Sequence, residues 1–444
     1  MEHDKRRYPI MEDEGALHPD LEKSQVWARP QKETIMRPLE DYNPFDPEVA
    51  ENPFEYYAAL REQAPVYQTP MGFFMVSTYD HCVSAIRDPG VFSSRFTAAM
   101  AGGMGGAEKL EGGELDEIPM APTDTLLTND PPSHTRFRKL VNKAFSPRRV
   151  EKMDDYVSTI ASNLIDGFAA QSTIDAVPEL AVPLPLTVIA DQLGVPRSDM
   201  ADFKKWSDAS VAPLGGIISH DEQIECARLV LDLQKYLRAR ARERRENATD
   251  DLLSDMVHAS VDGESSLTDA EVVSIAQQFL VAGNETSTHL IAGALMFLLR
   301  DPEQAEKVRA QPELIPNAVE EALRCETPVQ GMWRVSTCDT RLGDTDIPEG
   351  SFLMLRYASA NRDPAVFPDP DRFDVERPNA REHLSFGRAI HFCPGASLAR
   401  KEASVAIAQM LERFPRLSVT QDNDFRHHPS MLLRGLSRLE LSLQ

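Results

Sequence analysis

Phe386-Gly-Arg-Ala-Ile-His-Phe-Cys393-Pro-Gly395 lies directly ahead of a helical pattern running from about Ala396 to Phe414. A thiolate at Cys393 would face the positive end of that helix and its unbonded N–H groups. Both lower a cysteine's pKa and suit it to ligate a metal. Gly387 and Gly395 permit the close backbone approach such a loop needs. On these grounds alone, a metal ligand and a buried structural cysteine fit equally well. The other cysteines, Cys82, Cys226, Cys325 and Cys338, are irregularly spaced and form no CxxC pair. Neither a disulfide framework nor a zinc site is indicated, so they read as small apolar packing groups in a reducing, cytoplasmic compartment.

Upstream of the loop, Thr268-Asp-Ala-Glu271 reads as a capping box, apolar positions continue to Leu299, and Asp301-Pro302 ends the run. This predicts a helix of some 30 residues, roughly 45 Å long, which must cross the domain centre. Ala282-Gly-Asn-Glu-Thr286 interrupts it with a glycine, which costs about 1 kcal/mol relative to alanine, and with a carboxylate that is costly unless paired or near water. Gly283 could simply admit a neighbouring helix while Glu285 pairs with a base; a functional site is the other reading. The stretch Leu280 to Leu299 is long enough to span a bilayer but carries Asn284, Glu285 and His289, which fits a buried core helix better than a membrane span.

Working outward, 444 residues of which 42% are apolar can bury a large core. Residues 1 to 42 are polar and proline-punctuated and read as a flexible extension; 43 to 444 contain no linker or repeat and read as one domain. FEYYAALREQAP predicts an amphipathic helix, and PVYQTPMGFFMVSTYDHCVSAI two short strands about a Pro-Met-Gly turn leading into a helix. Residues 96 to 128, rich in Gly, Met and acidic residues, form a long loop. Helices are expected from Ser133 to Arg324, broken by VPELAVPLPL and by Gly215-Gly216. Short strands then follow Cys325, and MLLRGLSRLELSL closes the chain as a hairpin-like segment. The fold class is mainly α with small β-sheets. With 47 basic against 70 acidic residues, the net charge of −23 argues against nucleic-acid partners and anionic membranes. The opening MEHDKRRYPIMEDEG lacks the apolar core of a signal peptide.

The cysteine loop resembles the haem-binding signature of the cytochrome P-450 family, Phe-x-x-Gly-x-His/Arg-x-Cys-x-Gly, with Ala389 where that family usually has glycine. The resemblance implies that Cys393 is the proximal iron ligand of haem b (iron protoporphyrin IX) and that Phe386 packs near its sulfur. Ala282 to Thr286 resembles the family's oxygen-binding motif. There Ala282 and Gly283 lie beside the haem, the helix widens, Thr286 bonds the bound O₂ and Glu285 relays protons. Glu321-Ala-Leu-Arg324, by itself a minor surface pair, resembles the family's Glu-x-x-Arg, and Phe367-Pro-Asp-Pro-Asp-Arg372-Phe373 would supply Arg372 to complete a buried Glu-Arg-Arg network. Asp130-Pro-Pro-Ser-His134-Thr-Arg-Phe-Arg138 opens another helix, with His134 and Arg138 on one face. By spacing they suit a solvated basic patch or a clamp on carboxylates; the resemblance implies a clamp on haem propionates, shared with Arg334 and His391.

The implied fold is a triangular prism with haem between the long central helix and the cysteine-loop helix. The implied activity is that of a soluble bacterial monooxygenase, hydroxylating a hydrophobic small molecule with O₂ and with NAD(P)H electrons delivered by a separate ferredoxin and reductase. Arg136, Lys139, Lys143, Arg148 and Arg400 are expected to stay exposed and form the docking face for that acidic partner. A monomer is expected. Val329, Met332 and Leu433 are pocket candidates by motif position, with Met100 and Met104 contributed by a 96–128 lid. A peroxide-driven peroxygenase and a non-catalytic haem-thiolate sensor are the rival readings.

Pro394 carries an expectation of its own. Having no N–H, it cannot donate a hydrogen bond to the sulfur beside it, and such bonds tune the potential of thiolate-bound iron. Pro394→Leu should therefore raise the iron reduction potential in a spectroelectrochemical titration; an unchanged or lower potential contradicts the idea.

Overall fold

In the computed structural model the Thr268 hydroxyl accepts from the Glu271 N–H at 3.3 Å, and the Glu271 carboxylate accepts from the Thr268 N–H at 2.8 Å. The predicted capping box is closed from both sides, and a 32-residue helix, Asp269–Arg300, runs from it. Asp301 ends that helix and caps the next, Pro302–Ala310, by accepting from the N–H groups of Glu303 and Gln304. The structure describes residues 38–97, 123–144, 151, 153–215, 218–261 and 263–444.

The long helix is central because it packs on both its faces. Val272, Ile275, Ala276 and Leu280 in its first half join Leu233, Leu237 and Phe203 of the helices His220–Glu246 and Met200–Val211. Leu290, Ile291, Leu295 and Leu298 in its second half join Ile165, Leu184, Ile407 and Met410, from Asp154–Phe168, Pro183–Gln192 and the cysteine-loop helix Ala396–Arg413. Residues 281 to 286 belong to neither apolar cluster. Ala282 there is exposed and Thr286 part-exposed, on a helix whose flanks are almost wholly buried. The core opens at the segment that the sequence marks.

The N-terminal strands form as expected. β1 (Val66–Gln68) and β2 (Phe74–Val76) are antiparallel, with Gly72 at φ +92° turning the chain between them. With β3 (Phe92–Ser93), β4 (Met332–Ser336) and β5 (Phe352–Leu355) they make one sheet of order β1-β2-β5-β4-β3, in which β2 and β5 run parallel. The compact unit spans Met36–Gln444 and already includes Leu39 and Tyr42, both buried. The expected extension is otherwise outside the described residues.

Two expectations are corrected. VPELAVPLPL does not break the helices: Val177–Ala181 is one π-helical turn and Pro183–Gln192 an α-helix. Pro183 and Pro185 occupy a first turn, where N–H groups have no intrahelical acceptor to lose. The terminal segment does not fold on itself as a hairpin. Glu440–Ser442 instead pairs with Thr173–Asp175 and Ser418–Val419, while Leu433 and Leu436 bridge to Val329 and His427.

The third correction concerns Arg372. Glu321 is fully buried and receives Arg324 Nε at 2.7 Å and Nη2 at 2.8 Å, but its second arginine is Arg377, whose Nε lies 2.8 Å from Oε1. Arg372 is exposed and gives the network only its carbonyl, which accepts from both guanidinium groups. The turn at Asp369, φ +48°, directs Phe373 into the core and the side chain beside it outward. The remaining donors of both arginines bond the carbonyls of Asn361, Pro368, Asp369 and Pro370, so the ion triad ties the chain that leads toward the cysteine loop. Removing the carboxylate would strand two buried cations: Glu321→Ala should lose about 3–5 kcal/mol in denaturant unfolding, and Arg372→Ala should stay within about 0.5 kcal/mol of the parent.

Candidate active site

Cys393 follows a 3-10 turn, Ala389–His391, and precedes the helix Ala396–Arg413. Its N–H donates to the Phe386 carbonyl at 2.9 Å, closing the loop. Gly387 takes φ +64° and Ala389 φ +55°, so the position where related loops carry glycine demands a left-handed backbone. Ala389 bears that conformation at a cost of about 1–2 kcal/mol. Gly395, at φ −83°, needs no special backbone; a Cβ there would sit 3.9 Å from the sulfur, an ordinary contact. Burial pushes the Cys393 thiol up, while the N–H groups of Gly395 and Ala396 and the charges of Arg138 and Arg400 pull it down. The helix terminus acts as expected but is outweighed by burial. All five cysteines are free; Cys82 and Cys325 are buried as expected, whereas Cys338 is exposed.

Two arginines and two imidazoles gather at this loop. Arg138 donates to the carbonyl of Phe392. The rings of His134 and His391 lie 4.3 Å apart, and His391 Nε2 bonds Ser94 Oγ at 2.9 Å. Arg334, buried on β4, donates to the Trp333 carbonyl. Burial, then Arg334, His134 and Arg138, drive His391 down to about 3; burial and Arg138 lower His134, against Asp130. Asp130 is occupied elsewhere, accepting from Ser93 Oγ and the Ser94 N–H. Among the described residues, neither Arg138 nor Arg334 forms an ion pair with a carboxylate. A partly buried positive cluster without its counter-charge fits a ligand carrying carboxylates beside the sulfur.

The central helix is α-helical throughout, without a widening, and Thr286 Oγ1 donates back to the Ala282 carbonyl at 2.5 Å. Burial raises the Glu285 carboxyl, opposed by Lys204 and reinforced by Asp208. Its nearest base is His289, Nε2 to Oε2 3.8 Å, on the same helix. Asn284 Nδ2 donates to Ser207 Oγ at 3.0 Å. Gly283 faces Ile189 of Pro183–Gln192, where an added Cβ would be in ordinary contact at 3.6 Å.

Val329 and Leu433 form a β-bridge, and Met332 opens β4 beside them, so the three pocket candidates share one region. Met100 and Met104 lie outside the described residues, as do the side chains of Lys143 and Arg148. Three of the expected docking cations are engaged. Arg136 pairs with Glu271 at 2.7 Å, and Arg400 pairs with Glu320 at 2.8 Å while its guanidinium lies over the Phe386 ring. Lys139 is the exposed member, 3.2 Å from Glu264.

Glu402, which the sequence reading passed over, is fully enclosed on the cysteine-loop helix and accepts from Ser287 of the central helix. Its one signal in the sequence is a carboxylate within the apolar pattern of that helix. Ser94 carries no such signal.

Residues 217–442 match the cytochrome P450 family. The 6-deoxyerythronolide B hydroxylase of Saccharopolyspora erythraea is 36% identical over 88% of this chain and 96% of its own length, and the steroid C26-monooxygenase of Mycobacterium tuberculosis is 35% identical over 86% and 92%. The crystal structure of cytochrome P450 CYP109Q5 from Chondromyces apiculatus superposes with a TM-score of 0.81 at 38% identity, covering 91% of this chain and 98% of that one. The chain belongs to the cytochrome P450 family. It is an oxidoreductase, a P450 monooxygenase, of a family whose members bind haem. Among the described residues no helix is long and apolar enough to cross a membrane.

The buried Glu402 makes stability depend on pH. Burial raises its carboxyl from the usual 4.5 to about 8, so the folded protein keeps a proton that the unfolded chain releases. That stabilisation is complete below 4.5 and is lost as pH rises toward 8. Glu402→Gln has no proton to lose. Its stability relative to the parent should climb by about 1.4 kcal/mol per pH unit between pH 5 and 8 and level off above, as read by denaturant unfolding across that range.

Proposed function

We propose that this monooxygenase hydroxylates an apolar small molecule, with haem b held by Cys393 and its propionates by His134, Arg138, Arg334 and His391. The observation that carries this reading is the unpaired cationic cluster beside the cysteine sulfur, which two propionates would neutralise. Bound there, haem supplies the oxygen-activating chemistry. The chain's own residues manage protons and access. The Thr286 hydroxyl, free to exchange its Ala282 acceptor for a ligand, presents an O–H at the opening in the core. Glu285, kept toward its protonated form by burial, stands next to it as the acid, and general acids of raised pKa are apt at neutral pH. Glu402 stays neutral behind the cysteine-loop helix and fixes Ser287.

Val329, Met332 and Leu433 line the substrate side, with Met100 and Met104 assigned to the lid. Relatives named for 6-deoxyerythronolide B and for a steroid support a large apolar substrate. Electrons come from NAD(P)H through a separate ferredoxin and reductase in the cytoplasm. Of the expected docking cations the exposed Lys139 remains, and the enzyme works as a monomer.

The test is a hydrophobic compound library read by the Soret spin-state shift, followed by turnover with NADH, ferredoxin and its reductase. We expect a shift with at least one apolar compound and a hydroxylated product that needs the full electron chain. Turnover with peroxide but not NADH would make the protein a peroxygenase. Redox-active haem with no shift and no product would make it a sensor.

A further inference from the structure

Behind Glu285, on the side of the central helix that faces Ile315–Glu326, four ionisable residues follow one another to the surface. His289 Nε2 is 3.8 Å from Glu285 Oε2. Glu326, at the end of Ile315–Glu326 and 2% exposed, lies within electrostatic range of His289 and accepts from or donates to His427 Nε2 at 3.1 Å. The other nitrogen of that ring, Nδ1, is 2.9 Å from Glu51 Oε1, and Glu51 is 40% exposed. Base and carboxylate alternate along the whole line.

The backbone makes room for this row. A Cβ on Gly293 of the central helix would fall 2.9 Å from Glu326 Cγ, and one on Gly435 would fall 1.8 Å from His289 Nδ1. A helix-interior glycine is destabilising, and the space it opens is filled by a carboxylate and an imidazole where apolar side chains would pack without penalty. His289 Nδ1 has no hydrogen-bond partner although buried, a cost without purpose in a purely structural residue.

We propose that Glu51, His427, Glu326 and His289 form a proton wire that carries protons from the surface to Glu285 for the monooxygenase reaction. This rests on the reading that Glu285 delivers protons at the site. A proton taken up at Glu51 passes to His427 Nδ1 as the proton on Nε2 leaves to Glu326 Oε1. Protonated Glu326 gives it to the open Nδ1 of His289, and Nε2 releases one to Glu285 Oε2. One proton enters for each that Glu285 yields, and only N–H and O–H bonds change. Glu326 is not hydrogen-bonded to His289, so a side-chain rotation there is the slow step, and each ring resets its tautomer by turning.

The charges facing this row suit transient carriage. His289 sees Glu285, Glu326, His427 and His428, and burial brings it to about 4. Glu326 sees His427, Arg434 and His289, which keep it ionised against burial. Glu51 sees His427 and Arg434. His428 sees His427 and Lys204, and Lys204 with Asp208 faces Glu285.

The experiment uses haem-loaded full-length protein with Glu326→Gln, His289→Gln and Glu51→Gln, the last at the exposed end of the row. Haem content and substrate dissociation constant should match the parent. In Glu326→Gln and His289→Gln, NADH-driven product formation should fall about tenfold, with a larger solvent deuterium isotope effect and more reducing equivalents lost as H₂O₂; Glu51→Gln should lose two- to threefold with the same signature. Independently of turnover, ¹⁵N-imidazole NMR of Glu326→Gln should show His289 titrating at lower pH than in the parent. A thermal shift with an unchanged isotope effect, or a His289 titration that does not move, overturns the wire while leaving the monooxygenase reading intact. A parent that binds haem but makes no product sinks that reading instead, and the NMR result still decides the connection.

Discussion

The Cys393 sulfur has to be presented to a ligand from within the fold and yet be surrounded by donors, and the rest of the site is arranged around that requirement. The loop is closed by the Cys393 N–H on Phe386 and shaped by two left-handed residues, Gly387 and Ala389, on either side of Arg388. It is stacked from outside by Arg400 over Phe386. Gly395 and Ala396 aim their N–H groups at the sulfur, and Pro394 between them and the cysteine has none to give. Haem iron would replace the thiol proton that burial otherwise favours.

Along the central helix the apolar core is divided, with one cluster on each half of it and an opening between them at Ala282 to Thr286. Such a helix can tolerate Glu285, Asn284 and Glu402's partner Ser287 because each meets a polar group: His289, Ser207 and the Glu402 carboxyl. The Glu321–Arg324–Arg377 triad performs a different task, clamping the carbonyls of the chain between residues 361 and 372. Its burial makes it expensive to break and therefore a fixed reference for the loop that follows.

What could be read from the sequence was whatever is encoded within a few residues. The capping box at Thr268, the proline-opened helix at Ser133, the Pro-Met-Gly turn and the cysteine loop are all of this kind, and the structure shows each. Misreadings arose where distant contacts decide. Whether Arg372 or Arg377 reaches Glu321 depends on a turn at Asp369 that brings the chain back across 56 residues. Arg136 and Arg400 look like free surface cations until Glu271 and Glu320 arrive from other helices. Proline-rich VPELAVPLPL is helical because its prolines fall in first turns. Ser94 and the Glu326–His427 contact are legible only once the chain is packed.

The account depends on one bond, from the Cys393 sulfur to haem iron, and the absorbance of the reduced, carbon-monoxide-treated protein reports on it most directly. The parent should show the red-shifted Soret band of a thiolate-bound haem, and Cys393→Ala should lose it even where haem is retained. The same band in the variant, or its absence from the haem-loaded parent, would contradict the account.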